Sequence, residues 1–155
     1  MKSDLTEFTL ETGKKEELVQ AESIALAHDC DSAYVVYAVR QKAETAGFTH
    51  IDAALIATAA SELATNIIRY GRTGEIIFGI LKDCDSQKTG IELFAVDNGP
   101  GIADIDAAME ERFTSLPGSL GLGLPSVKRI MDEFFIESIV GKGTRILTRK
   151  WKHNE

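Results

Sequence analysis

The chain is predicted to fold as an α+β protein built on a mixed, mostly antiparallel sheet. Three observations predict this. Two long segments, about 31–46 and 52–70, repeat apolar residues at helical spacing. Four short segments rich in β-branched and aromatic residues lie near 75–81, 91–97, 134–140 and 144–151. These strands come in consecutive pairs joined by short turns, which favours antiparallel ladders over βαβ winding.

Each element has its own signal. Residues 1–20 read as a polar N-terminal extension to which no fold is assigned, with Leu5–Leu10 a candidate edge strand; 21–155 read as a single domain. Residues 22–29 are a candidate short strand. Asp31 or Ser32 is the expected N-cap of the first helix, which Gly47 stops. The second helix carries Leu55, Ile56, Ala59, Ala60, Leu63, Ala64, Ile67 and Ile68 at helical spacing and closes at Gly71. A hairpin loop at 83–90 joins the first strand pair. A Gly/Pro-rich loop opens at Asn98, and a short amphipathic stretch follows at about 104–112. A third helix runs to about Glu133, and Gly141-Lys-Gly143 joins the last two strands.

Composition narrows the function. A chain of 155 residues is one ordinary domain and buries roughly two-thirds of its unfolded surface. Apolar residues make up 44% and charged residues 26%, a globular mixture. The net charge of −7 argues against binding nucleic acid by bulk electrostatics. No apolar run is read as reaching the roughly 20 residues of a membrane span, and no signal peptide is read at the N-terminus. Cys30 and Cys84 lack metal spacing, which points to a reducing cytoplasm, and both are expected to be buried as small hydrophobes. Three scattered histidines do not make a zinc site.

Four constellations stand out, each with a plain structural alternative. Glu62 and Asn66 lie four apart on the second helix and project side by side. They are either a solvated polar face or a pair of hard oxygen ligands suited to Mg²⁺ and to orienting a hydroxyl. Asp97-Asn-Gly-Pro-Gly101 ends a strand. It is either a tight turn or an acceptor for an exocyclic amine, with Gly99 and Gly101 letting the backbone approach a flat ligand. Gly118-Ser-Leu-Gly-Leu-Gly123 runs into a helix. It is either a capped flexible loop or a phosphate cradle, and it is no Walker loop. Gly141-Lys-Gly-Thr144 is either a hairpin turn or a turn that places a hydroxyl beside the amine site.

The ordered set E-x-x-x-N, D-x-G-x-G, G-x-G and G-x-G-T resembles the N, G1, G2 and G3 boxes of the GHKL ATPase superfamily over residues 30–151. Ser61–Asn66, Asp97–Ile102 and Leu124–Phe134 resemble most the small serine-kinase and anti-sigma-factor branch, and within it the RsbT-type switch kinases of stressosomes. The resemblance implies a Bergerat-type two-layer sandwich with helices on one face of the sheet. It implies ATP and Mg²⁺ as cofactors. Asp97 would take the adenine amine, Thr144 would support a bridging water, and Asn66 would bind the metal. Gly121, Leu122 and Gly123 would hold phosphates, and Glu62 would accept the proton of the incoming hydroxyl. No arginine finger is assigned; Arg69 and Arg72, just past the N box, could serve, but surface charge is the preferred reading.

The implied function is phosphorylation of a STAS-domain antagonist, with release of the kinase to activate a PP2C-type phosphatase. Two alternatives accompany it: an anti-sigma factor that sequesters a sigma subunit, and an ATP-binding protein without catalysis. Phe113–Leu116 and Phe134-Phe135 are candidate docking residues, with the core the preferred place for the latter pair, and Trp151 is expected to pack.

Overall fold

A computed structural model describes residues 16–110 and 123–153. Strands are β1 (Glu16–Leu26), β2 (Gly74–Asp83), β3 (Thr89–Asp97), β4 (Glu133–Ile139) and β5 (Gly143–Trp151). Helices are α1 (Asp31–Thr45), α2 (His50–Asn66), α3 (Ile105–Ala108) and α4 (Gly123–Ile130). The sheet order is β1-β2-β3-β5-β4. All four ladders between described strands are antiparallel, where the sequence suggested a mixed sheet.

Strand alternation sends one set of side chains to the helices. Leu26, Ile76, Phe78, Ile91, Leu93, Ala95 and Ile146 join Val35, Val39, Ile56, Leu63 and Val127 in one core. One face of α2 is therefore apolar. The stretch His50–Gly71 has the length and hydropathy of a membrane-crossing helix, contrary to expectation. In this fold its Ala53, Ile56, Ala60 and Leu63 are 0% exposed in the core between α1 and the sheet.

Several boundaries move. β1 begins at Glu16, so it takes in the end of the presumed extension; the candidate strand Leu5–Leu10 lies outside the described residues. Asp31 does not cap α1. Cys30 holds the cap position, and Asp31 Oδ2 instead accepts the backbone N–H groups of Ala27 and His28 at 2.9 and 2.8 Å. Those bonds, Ala27 first, hold its carboxyl below the usual range. α2 starts two residues earlier than expected, at His50, because Thr49 Oγ1 accepts the Asp52 N–H at 3.1 Å. α4 ends at Ile130, leaving Glu133 to open β4. Cys30 and Cys84 are both exposed, not buried, since each sits in a connection between elements. Phe134 packs against the core, but Phe135 points to the other face and is 42% exposed. Phe113–Leu116 lies outside the described residues.

Candidate functional site: a cleft between α2, the β3 end and α4

A cleft of about 720 Å³ opens beside α2, a size suited to a nucleotide. Glu62, Asn66, Asp97, Gly101, Gly123 and Thr144 all line it. Residues that are up to 82 positions apart in sequence thus meet in one place. Gly99 lies one layer behind, against Gly71. Gly121 and Leu122 lie outside the described residues.

At one end stands Asp97, the last residue of β3, 7% exposed. Its Oδ1 accepts the Gly99 N–H at 2.9 Å, which orients the carboxylate. Oδ2 has no partner among the described residues and is available to an amine. In the sheet, Gly74, Asp97, Thr144 and Ser138 form one cross-strand row. Thr144 Oγ1 lies 2.8 Å from Ser138 Oγ, and Ser138 Oγ also accepts the Ile102 N–H at 2.7 Å. Ser138 therefore ties the loop after β3 to the floor of the cleft. Sequence reasoning missed it; Ser138 carries no local signal within the strand Glu133–Ile139.

The glycines here serve chain-on-chain contact. A Cβ on Gly71 would sit 2.5 Å from Asp97 Cγ, and one on Gly143 would sit 2.0 Å from the Asp97 carbonyl oxygen. Gly143 also has φ of +128°, which a side chain would strain. The close approach expected of Gly99 is toward Gly71 and the Tyr70 carbonyl, at 2.6 and 2.9 Å from its would-be Cβ.

At the other end, Glu62 and Asn66 share the cleft-facing side of α2. Helical geometry stacks residues four apart, as expected from their spacing. Both are half-buried. Burial pushes the Glu62 carboxyl above the usual carboxylate range, opposed by the Arg69 charge and by a bond from the Gly123 N–H. A carboxylate tuned upward beside a cleft is suited to taking a proton. Beyond Asn66 the helix widens into a π-helical turn, Ile67–Gly71, a feature frequent at functional sites. Arg69 and Arg72, for which surface charge is the preferred reading of the sequence over service at the phosphates, are both exposed and also line the cleft. Arg72 leaves the turn with φ of +67°, a conformation costly for a non-glycine residue.

Gly123 opens α4, whose free N–H groups and dipole favour an anion. The donor set also fits a Mg²⁺–nucleotide. Among the described residues no three or more His, Cys, Asp or Glu side chains converge on a metal site. Mg²⁺ is commonly held by one or two protein oxygens plus substrate phosphates and water, and Asn66 supplies such an oxygen.

An antiparallel sheet backed by helices, with this cleft at the end of its central strand, defines an ATP-using, kinase-like domain. Residues 27–150 match the family described as histidine kinase-like ATPase domain, and the chain belongs to that family. It is similar to serine/threonine-protein kinase RsbT of Bacillus subtilis (strain 168), 49% identical over 112 residues, which cover 72% of this chain and 82% of the relative. It is also similar to anti-sigma F factors. That of Clostridium novyi (strain NT) is 37% identical over 98 residues, covering 61% of this chain and 68% of the relative. That of Thermoanaerobacter sp. (strain X514) is 37% identical over 99 residues, covering 62% and 68%.

Proposed function

We propose that the chain is a serine/threonine protein kinase of a bacterial stress-response switch. It transfers the γ-phosphoryl group of ATP to a hydroxyl of a STAS-domain antagonist. Once released, it activates a PP2C-type phosphatase. The observation that carries this reading is the pairing of Glu62 and Asn66 at one end of a cleft closed at the other by Asp97. The relative named as a serine/threonine-protein kinase supports it.

The chemistry assigned to each residue follows from its position. Asp97 Oδ2 accepts a hydrogen bond from the adenine amine. Thr144, braced by Ser138, orients a water between base and carboxylate. Phosphate oxygens are assigned to the backbone N–H groups of Gly121, Leu122 and Gly123, of which Gly123 opens α4. Asn66 contributes an oxygen to Mg²⁺, which when bound neutralises phosphate charge. Glu62 aligns the incoming hydroxyl and takes its proton as the new oxygen–phosphorus bond forms and the bond to the ADP oxygen breaks. Positioning and charge neutralisation suffice for this reaction. The phosphotransfer takes place in the cytoplasm.

The test is intact mass after mixing the chain with Mg²⁺-ATP and the STAS-domain protein encoded nearest to it. A phosphate adduct with wild type and none with Glu62→Gln supports the reading. No adduct despite intact ATP binding overturns it. A second reading is that of an anti-sigma factor. The anti-sigma F relatives favour that alternative, in which the chain sequesters a sigma subunit and phosphorylates its antagonist. Recovery of a sigma subunit with the chain is its signature.

A further inference from the structure

At the Asp97 end, the floor of the cleft is a cross-strand row of three polar side chains. Asp97 ends β3, Thr144 faces it on β5, and Ser138 faces Thr144 on the edge strand β4. Asp97 and Thr144 line the cleft and are both buried; Ser138 stands one strand behind them, outside the lining. The hydrogen bonds along this row have a direction. The Ile102 N–H donates to Ser138 Oγ at 2.7 Å. Ser138 has one hydroxyl proton to give. Two acceptors compete for it, Thr144 Oγ1 at 2.8 Å and the Gly143 carbonyl at 3.2 Å. O–H···O bonds span about 2.5–3.0 Å, so the proton goes to Thr144. The Thr144 proton is then left for the cleft, and the neighbouring Asp97 carboxylate draws it the same way. The opposite arrangement would set the lone pairs of Thr144 beside that carboxylate. The relay therefore runs from the Ile102 amide through Ser138 and Thr144 into the cleft, each bond polarising the next.

We propose that Ser138 is a positioning residue that fixes Thr144 as a hydrogen-bond donor and so selects 6-amino over 6-oxo purine nucleotides. The inference rests on the reading that the cleft takes ATP, and deepens it. Asp97 Oδ2 is an acceptor. Thr144 is a donor beside it, either directly or through one water that accepts from Thr144 and donates onward. Adenine offers the matching pair, an amine that donates and an N1 that accepts. A 6-oxo purine offers the reverse, an oxygen that accepts and an N1–H that donates. Its oxygen meets the carboxylate, and its N1–H meets another proton. A freely rotating threonine hydroxyl serves either pattern, since it both donates and accepts. Ser138 removes that freedom without touching the base. A site with fixed polar partners rejects the wrong pattern because its buried groups are left unpaired.

The test is calorimetric titration of the full chain, in Mg²⁺, with ATP and with its 6-oxo analogue ITP. Wild type should favour ATP. In Ser138→Ala the ratio of the ITP to the ATP dissociation constant should fall by about fivefold or more. Thr144→Val probes the same bond from its other side and should lower the ratio too. Adding Ser138→Ala to Thr144→Val should lower it no further, because Ser138 acts only through Thr144. A ratio preserved in Ser138→Ala, with both affinities reduced alike, makes Ser138 a brace for the Ile102 loop and overturns the proposal. A further fall in the double variant also overturns it. Wild type that binds ATP and ITP equally well overturns the proposal and leaves the nucleotide site standing. Wild type that binds neither overturns the reading of the cleft, and the proposal with it.

Discussion

Gly71→Ala is the sharpest probe of the nucleotide site. Gly71 was legible only as a helix stop, yet it sets where Asp97 lies. The alanine Cβ would fall 2.5 Å from Asp97 Cγ, 2.6 Å from its Cβ and 2.8 Å from Oδ2, where ordinary contact begins at 3.4 Å. Gly71 lies outside the left-handed region, so the added methyl acts by contact alone. The clash includes Asp97 Cβ, which is fixed to the backbone, so the carboxylate must shift by about 1 Å. A hydrogen bond to a charged group contributes about 1.5–3 kcal/mol, so losing it weakens ATP binding by about 10- to 150-fold. Calorimetric titration with ATP and with ITP, which lacks the amine, separates the causes. The variant should lose affinity for ATP and change little toward ITP. Overpacking costs about 1–3 kcal/mol of stability, which a thermal melt reports separately. Unchanged ATP affinity in a folded variant would refute the assignment of Asp97 to the adenine amine.

Four further outcomes are expected. Glu62→Gln retains ATP affinity and loses transfer. In wild type, transfer falls on acidification through a pKa above the ordinary value of 4.5, because the base must be ionised and burial raises its pKa; single-turnover rates against pH should show that acid limb. If Asn66 holds the metal as proposed, Asn66→Ala removes that oxygen and the Mg²⁺ concentration for half-maximal transfer should rise by about tenfold or more. Arg149→Ala leaves the Glu16 and Glu92 carboxylates buried without their cation, now at 2.6 and 2.8 Å. Urea unfolding should show a loss of about 3–5 kcal/mol, with ATP affinity unchanged.

Periodicity made the framework legible. The 3.6-residue spacing of Leu55, Ile56, Ala59, Ala60 and Leu63 marks α2, and the paired strand segments mark the central ladders. The four-residue step from Glu62 to Asn66 was enough to put both on one side of the helix. What escaped was set by contacts between distant segments. Asp31 looks like an N-cap but binds the N–H groups of Ala27 and His28, a choice made by the path of the preceding chain. Ser138 has no local signature, because its partners are Thr144 and Ile102. β1 escaped in part because its register shifts between Val19 and Glu22, which breaks strict alternation. Cys30 and Cys84 escaped because burial follows the position of a connection, not residue type alone.

One helical piece runs without interruption from Glu62 to Gly71, through α2 and the π-helical turn. Nine residues at helical rise separate its ends by about 13 Å. One end carries Glu62, the proposed proton acceptor, and the other butts against Asp97, the carboxylate proposed for adenine. On that proposal the helix is a gauge of ligand length, set against the distance from base to terminal phosphate. A nucleotide one phosphate shorter satisfies one end of the gauge and leaves the other without a reacting group. The two proposed sites are consequently spaced by the same helical piece, and a change in its residue count between these two points alters their spacing.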